Sequence, residues 1–288
     1  MQKFDTLLVG GTGFIGEHLL REFSDSRTAV FHSGKNVYVS TPNVFYFCDD
    51  NGEFFFDEIV NQVSRIIFLA QPNIAFLKRV VSVIGEGGPK VLLYASSLMI
   101  YKGGKDSQKE TDELSPITLY AKQKLEEERI LEEFSKKNKK IKIIIARLGN
   151  VYGDVKNRGI IGLAFNSLFH AKKEIVISGD GTSVRDFIFV DDAAKIFFLL
   201  LKKAKDGLNI VNVSTGEGYT ILEVIKKIEK ITGKDICYHY GPIQEEVVSV
   251  VGDTQKLESL IGTFKKTTVD DGLRIAYKRY VIKNEYNA

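Results

Sequence analysis

The first half of the chain alternates short apolar runs with amphipathic stretches. The apolar runs Thr6–Val9, Thr28–Phe31, Val44–Phe47, Arg65–Ala70, Val91–Ala95 and Ile141–Ala146 predict six strands, because continuous apolar runs between turn residues mark strands buried on both faces. Between them, Ile15–Phe23, Phe54–Gln62, Ile74–Ile84 and Leu119–Phe134 carry the helical period, each bounded by Gly, Pro, Asn or Asp. Strands that alternate with helices predict a parallel sheet covered on both faces, a doubly wound α/β fold.

After Tyr152 the texture changes. A Gly-, Asn- and Lys-bearing loop leads to a helix near Ile160–Ala171 and to shorter strands punctuated by Gly179-Asp180-Gly181. A strand at Ile210–Val213, a helix at Ile221–Ile231 and a last helix from about Asp270 to Tyr280 follow. No internal repeat or low-complexity linker separates the parts. The expected organisation is a first domain over residues 1–155, to which segments near 183–213 return, and a smaller lobe made mainly of residues 156–288.

Composition narrows the function classes. Among 288 residues, 44% are hydrophobic and 27% charged, which excludes a disordered chain and leaves a globular one able to bury its own core. Lys+Arg 40 against Asp+Glu 37 gives a net charge of +3, too weak a field to point to nucleic acid as a partner. The purely apolar run Ile196–Leu201 falls far short of the ~20 residues of a membrane span. The start, Met1-Gln2-Lys3-Phe4-Asp5, has no secretory pattern, so the cytoplasm is the expected location. Cys48 and Cys237 stand far apart, and His18, His32, His170 and His239 show no paired spacing, so neither a disulfide nor a metal site is expected.

The first chemical signal is Gly10-Gly11-Thr12-Gly13-Phe14-Ile15-Gly16, directly after the first strand and opening the first helix. A tight turn needs positive φ, a backbone without Cβ lets a pyrophosphate approach the amides, and the helix start offers N–H groups and partial positive charge. In this strand, turn and helix setting the motif predicts a Rossmann dinucleotide cradle, with Gly10, Gly13, Phe14, Ile15 and Gly16 against the phosphates. A purely structural glycine turn is the alternative.

Such a cradle usually works with an acidic residue at the end of the second strand, accepting from the adenosine ribose. Here that position reads Phe31-His32-Ser33-Gly34-Lys35, without a carboxylate. A 2′-phosphate would meet no repulsion, and His32, Ser33 and Lys35 can donate to it, which tilts the choice between NAD and NADP toward NADP. A ribose held by backbone and water is the other reading. Asp49 and Asp50 end the third strand, where a carboxylate reaches an adenine amino group or caps the following turn; both readings stand. Ala70, at the end of the fourth strand, is expected to line the cofactor.

A second signal lies on the fourth helix. Tyr120-Ala121-Lys122-Gln123-Lys124 places Tyr120 and Lys124 on one face, and an ammonium beside the phenol favours phenolate, as a general base for alcohol oxidation requires. Alone, such a pair is common surface decoration. Its context is Ala95-Ser96-Ser97 at the carboxyl end of the fifth strand, where ligands of doubly wound sheets bind and where a hydroxyl can share a substrate oxygen with Tyr120.

Glycine turn, strand-end Ser and helix Tyr–Lys together resemble the short-chain dehydrogenase/reductase superfamily, and more closely its extended branch, the NAD(P)-dependent epimerase/dehydratase family that acts mainly on nucleotide sugars. The resemblance covers nearly the whole chain. It implies Ser97, Tyr120 and Lys124 as catalytic residues, with Tyr120 and Lys124 also touching the cofactor. Ser97 is preferred over Ser96 because it stands four residues before Tyr101, as in the family's pattern. The segment Arg147-Leu148-Gly149-Asn150-Val151-Tyr152-Gly153 implies that Asn150 touches the substrate. The segment Gly179-Asp180-Gly181-Thr182-Ser183-Val184-Arg185-Asp186-Phe187 implies that Arg185 binds its diphosphate. A guanidinium suits phosphate oxygens, although a salt bridge from Arg185 to Asp180, Asp186 or Asp191 would account for it equally.

The departures shape the expected function. Pro242-Ile243-Gln244-Glu245-Glu246 lacks the family's nucleotide-gripping Arg, and Leu69-Ala70-Gln71-Pro72-Asn73 replaces its Ala-Ala signature. Leu98-Met99 follows Ser97 where dehydratases of the family carry an Asp-Glu pair, and neither side chain transfers a proton, which argues against dehydration. The leading expectation is a nucleotide-sugar epimerase working through a transient keto-sugar. An NADPH-dependent nucleotide-4-keto-sugar reductase is the alternative, and a catalytically silent cofactor sensor the third. The expected partners are a nucleotide-diphosphate sugar and a second copy of the chain. That homodimer would use the helix Leu119–Phe134, where Leu125, Ile130, Leu131 and Phe134 either face a partner or pack on their own sheet.

Overall fold

The computed structural model describes residues 4–32, 42–48, 53–85, 87–104, 106–169, 174–242 and 249–286. Its first elements are β1 (Thr6–Val9), α1 (Phe14–Arg21), β2 (Thr28–His32), β3 (Val44–Cys48), α2 (Glu53–Gln62), β4 (Arg65–Phe68), α3 (Ile74–Val83), β5 (Val91–Ser97), α4 (Leu119–Lys137) and β6 (Lys142–Leu148). There follow β7 (Asn150–Tyr152), α5 (Ile160–Phe169), β8 (Ile175–Ser178), β9 (Val184–Phe189), α6 (Val190–Lys203) and β10 (Gly207–Val213). The chain closes with β11 (Gly218–Thr220), α7 (Ile221–Thr232), β12 (Tyr238–Gly241), β13 (Ser249–Val250), α8 (Gln255–Ile261) and α9 (Val269–Tyr286).

The main sheet runs β10-β6-β5-β4-β1-β2-β3, seven strands rather than the six expected from the first half alone. The added strand, β10, comes from beyond residue 200. Strands β3, β2, β1, β4 and β5 pair in parallel register, with Thr6 beside both Thr28 and Arg65. The fold is a doubly wound α/β fold of the Rossmann type, in which the chain order reverses beside β1.

The chain divides into two compact units, neither continuous in sequence: Met1–Ser97 with Leu119–Arg147 and Ala194–Val211, and Leu98–Thr118 with Leu148–Ala193 and Asn212–Ala288. In the first unit the two-residue period of the strands sorts side chains between two faces. Leu7, Val9, Ile66, Phe68, Leu92, Tyr94, Ile143 and Ile145 share one buried cluster with Phe56, Ile59 and Val60 of α2, Leu77 and Val80 of α3 and Leu131 of α4. The intervening Leu8, Val30, Ile67, Leu93 and Ile144 are fully buried outside that cluster. Each such side chain contributes roughly 1.5–3 kcal/mol relative to exposure.

The second unit has its own core, in which Tyr152, Phe165, Phe187, Phe189, Ile225, Leu273 and Tyr280 pack together. Its α7 is specified locally. Thr220 and Glu223 form a reciprocal capping box, and Gly233 ends the helix at φ 66°.

Candidate active site

The glycine turn forms a cradle. Gly10 sits at φ +79°, and a Cβ there would meet the Ala70 backbone nitrogen at 2.9 Å. The Gly13 N–H donates to the Gly10 carbonyl at 3.0 Å, which closes the turn. A Cβ on Gly16 would lie 2.4 Å from the Gly11 carbonyl oxygen, so the first turn of α1 packs on the loop only because Gly16 has none. Gly13, at the N-cap, makes no side-chain cap to α1. Above this turn opens a cavity of about 590 Å³, within the range of small-molecule sites.

Gly10, Gly13, Phe14, Ile15, Gly16, His32 and Ala70 all line that cavity, which brings together seven of the residues expected to hold a dinucleotide. Gln71, Pro72 and Asn73, of the segment that replaces the family's Ala-Ala signature, line it as well; Phe31 and Phe76 were not anticipated. Phe31 and Phe76 stack with ring centroids 5.4 Å apart and give the cavity an aromatic wall. A bare-backbone cradle with an aromatic wall fits a dinucleotide. Ser33, Lys35, Asp49 and Asp50 lie outside the described residues. Gly10→Ala is expected to weaken dinucleotide binding roughly tenfold in calorimetry. Strain at positive φ costs ~1–3 kcal/mol, and the new Cβ, 2.9 Å from the Ala70 backbone nitrogen, forces the turn or the loop lining the cavity to shift.

Ser97 ends β5 and Tyr120 opens α4, and a hydrogen bond from Ser97 engages the phenol. Ser96 turns the other way, donating to Glu128 in the interior. This alternation along β5 gives the two serines separate duties. Lys124 is 3% exposed and its Nζ donates to the Ala95 carbonyl at 2.8 Å. The ammonium lies 4.6 Å from the Tyr94 ring centroid and 6.0 Å from that of Tyr120.

The electrostatics differ from the simple expectation that Lys124 lowers the Tyr120 pKa. Burial pushes the Tyr120 phenol up and the charge of Glu127 pushes it further, while the Ser97 hydrogen bond pulls it down. Burial likewise lowers Lys124 to about 8, against the pull of Glu127 and Glu128. Lys124 is almost wholly withdrawn from water and Tyr120, 41% exposed, only in part, and the nearest fixed charges to both are carboxylates.

Those carboxylates are the residues that sequence reasoning missed. Glu127 and Glu128 are both 0% exposed. Glu127 accepts from the Tyr94 hydroxyl and, at 2.8 Å, from the Asn73 backbone N–H. Glu128 accepts from Ser96 and from Arg147, whose Nη2 reaches Oε2 at 2.8 Å and whose Nε reaches Oε1 at 3.2 Å. Arg147, 1% exposed and next to last in β6, is one of the largest fully buried side chains. The run Glu126-Glu127-Glu128 reads as solvated helix surface. Their spacing of three and four residues from Lys124 is the signal that sets them on its face.

In the second unit, Asn150 on β7 is exposed and pairs in register with Phe187, two residues along β9 from Arg185. Arg185 is 4% exposed and donates to the Val184 carbonyl at 2.8 Å. Of the carboxylates weighed against it, Asp186 accepts from Thr215, Gly216 and Gly252, Asp191 from Arg279, and Asp180 from Thr182. Tyr101 donates to Asn212 Oδ1 at 2.7 Å, and Leu98 and Met99 pack with Tyr101 and Val250. Among the described residues no group of three or more His, Cys, Asp or Glu side chains could hold a metal, and no helix is long and apolar enough to cross a membrane.

Comparison with known proteins bears on the family and the fold. The chain is 26% identical to a UDP-glucose 4-epimerase of Lactobacillus helveticus over 317 aligned positions, covering 94% of this chain and 96% of that one. It is 30% identical to UDP-arabinose 4-epimerase 1 of Arabidopsis thaliana over 224 positions, covering 69% of this chain and 53% of the other. The solved structure of MoeE5 in complex with UDP-glucuronic acid and NAD superposes with a TM-score of 0.87 at 23% identity, over 97% of this chain and 99% of that one, a likeness of fold. The profile of the NAD dependent epimerase/dehydratase family matches residues 57–214, from α2 to the end of the main sheet, and this chain belongs to that family.

Proposed function

We propose that the protein is an NAD(P)-dependent nucleotide-sugar epimerase that inverts a sugar carbinol through a transient keto-sugar. One observation carries the reading: the Ser97 hydroxyl engages the Tyr120 phenol at the end of β5, with Lys124 buried beside them, in the unit that holds the glycine-lined cavity. The names of the relatives, 4-epimerases of UDP-sugars, support a UDP-sugar substrate and the C4 position.

Gly10, Gly13, Phe14, Ile15, Gly16, His32 and Ala70 would hold the dinucleotide, with Ser33, Lys35 and Asp49 near its adenosine end. Bound there, the nicotinamide supplies a hydride acceptor and donor. The chain's own residues manage the proton. The Tyr120 phenol, held up by burial, is ready to give a proton to a carbonyl oxygen; in the opposite step it must accept one from the sugar hydroxyl. The Ser97 hydrogen bond favours that second form and would orient the reacting oxygen, while Lys124 would hold the nicotinamide ribose. Asn150 and Arg185 are assigned to the sugar and the diphosphate. In this reading residues 1–155 serve the dinucleotide and 156–288 mainly the substrate, in a cytoplasmic enzyme.

The proposed homodimer uses the outer faces of α3 and α4. Of the residues named for it, Leu125 and Leu131 are buried, and Leu131 sits in the chain's own core with Ile130 and Phe134 packed against it. The free part of the face is a shallow groove bordered by Val81, Ile130 and Phe134.

One observation favours a second reading, a keto-sugar reductase using NADPH: β2 ends in His32, where a ribose-binding carboxylate would stand for NAD. Stoichiometry separates the two. UDP-glucose and related sugars incubated with the protein are expected to equilibrate with their C4 epimers without net change in absorbance near 340 nm. Consumption of added NADPH one-for-one with a nucleotide keto-sugar overturns the epimerase reading.

A further inference from the structure

We propose that Glu127 is a positioning residue of this site, a buried acceptor that ties the Tyr120–Lys124 pair to the loop lining the dinucleotide cavity. The inference rests on the reading of Tyr120 and Lys124 as the catalytic pair. One carboxylate oxygen of Glu127 accepts the Asn73 N–H at 2.8 Å; the other accepts the Tyr94 hydroxyl and lies 3.9 Å from Lys124 Nζ. Asn73 is itself a cavity residue, and it caps α3 by accepting the Phe76 N–H at 3.0 Å, while its neighbours Gln71 and Pro72 line the same cavity. The loop, the strand β5 and the catalytic helix therefore meet at a single side chain.

A charge with no exposure to water is costly unless donors surround it. Here the donors are a backbone N–H from the cavity loop, a strand hydroxyl and an ammonium, so displacing any one of them loads the other two. The groups that face Glu127 and Lys124 are Tyr120 and Glu128 on α4, Tyr94 on β5 and the Asn73 N–H before α3. The field of Glu127 strengthens the hold of both Lys124 and Tyr120 on their protons, which is the effect expected of an anion beside both. A neutral side chain of the same shape would keep the packing and lose this field.

The test is Glu127→Gln, followed by the pH profile of kcat on UDP-sugars and by the titration of Lys124 in protein labelled with carbon-13 at the lysine ε position, assigned through Lys124→Met. Three changes are expected: a lower Lys124 midpoint, an acid limb of kcat displaced to lower pH, and a kcat reduced on the order of tenfold because the pair loses its fixed position. Glu127→Asp, which restores the charge, should recover part of the midpoint. An unmoved midpoint together with an unmoved pH profile overturns the proposal, even if thermal stability falls. If the parent chain turns over no nucleotide sugar, the enzymatic reading fails, and the Lys124 midpoint still decides the role of Glu127. Should the Gln variant not fold, Tyr94→Phe carries the test. It leaves Glu127 with one donor fewer, and a Lys124 midpoint unchanged in that variant overturns the coupling.

Discussion

Tyr120→Phe is expected to fold and to bind dinucleotide as the parent chain does, yet to lose roughly 10²–10⁴ in kcat, the usual contribution of a positioned acid–base group. The variant removes one oxygen from a side chain that keeps 41% of its surface exposed, so no cavity opens in the core. The hydroxyl it removes is the one that Ser97 engages, on the helix face that carries Lys124. A loss confined to kcat, with substrate affinity nearly unchanged, marks an interaction made only in the transition state. Turnover and dinucleotide titration on the same preparation check this. Parent-like turnover would place the proton transfer on another residue and remove the basis of the proposed mechanism.

The second large effect concerns stability. Glu128→Ala leaves Arg147 buried without the carboxylate that receives its Nε and Nη2, and leaves the Ser96 hydroxyl without its acceptor. Breaking a buried ion pair from one side costs roughly 3–5 kcal/mol, because the remaining charge stays desolvated and unpaired. Urea unfolding should report a loss in that range. Pairing Glu128→Leu with Arg147→Met, which removes both charges, should recover much of it. A Glu128→Ala variant within 1 kcal/mol of the parent, as an exposed pair would be at about that value, would show the pair to be weakly coupled. The pair joins α4 to β6, so stability and the proposed catalytic geometry share one element.

Much of this architecture is readable from the chain alone, for a local reason. The strand starting at Thr6 begins and ends where the apolar run does, because a strand buried on both faces must be apolar throughout. The glycine turn is equally plain, since positive φ at Gly10 and the missing Cβ at Gly16 are demands that one residue type meets. The seventh strand is legible only in its second half, Ile210–Val213, and its start at Gly207 is harder to see. Gly207–Val213 carries Asn209 and Asn212, both buried, and the polarity of Asn209 masks the first residues of the strand. Asn209 is satisfied by the carbonyls of Ile143 and Lys205, and Asn212 by Tyr101 and the Gln108 carbonyl. Only those partners make the burial affordable.

The acidic stretch of α4 shows the same division most sharply. Sequence determines that Tyr120 and Lys124 share a helix face, because helix geometry is local, and that a hydroxyl waits at the end of β5. Whether Glu127 and Glu128 face water or the interior is a matter of what lies opposite. Tyr94, Ser96 and Arg147 come from strands, and the Asn73 N–H from a loop 54 residues away. Propensity and periodicity act over a few residues, whereas the desolvation of a charge is compensated only by groups that the folded chain brings to it. For that reason the sequence by itself determined the glycine turn and the shared helix face of Tyr120 and Lys124, and only the tertiary structure decided that Glu127 and Glu128 are buried beside them.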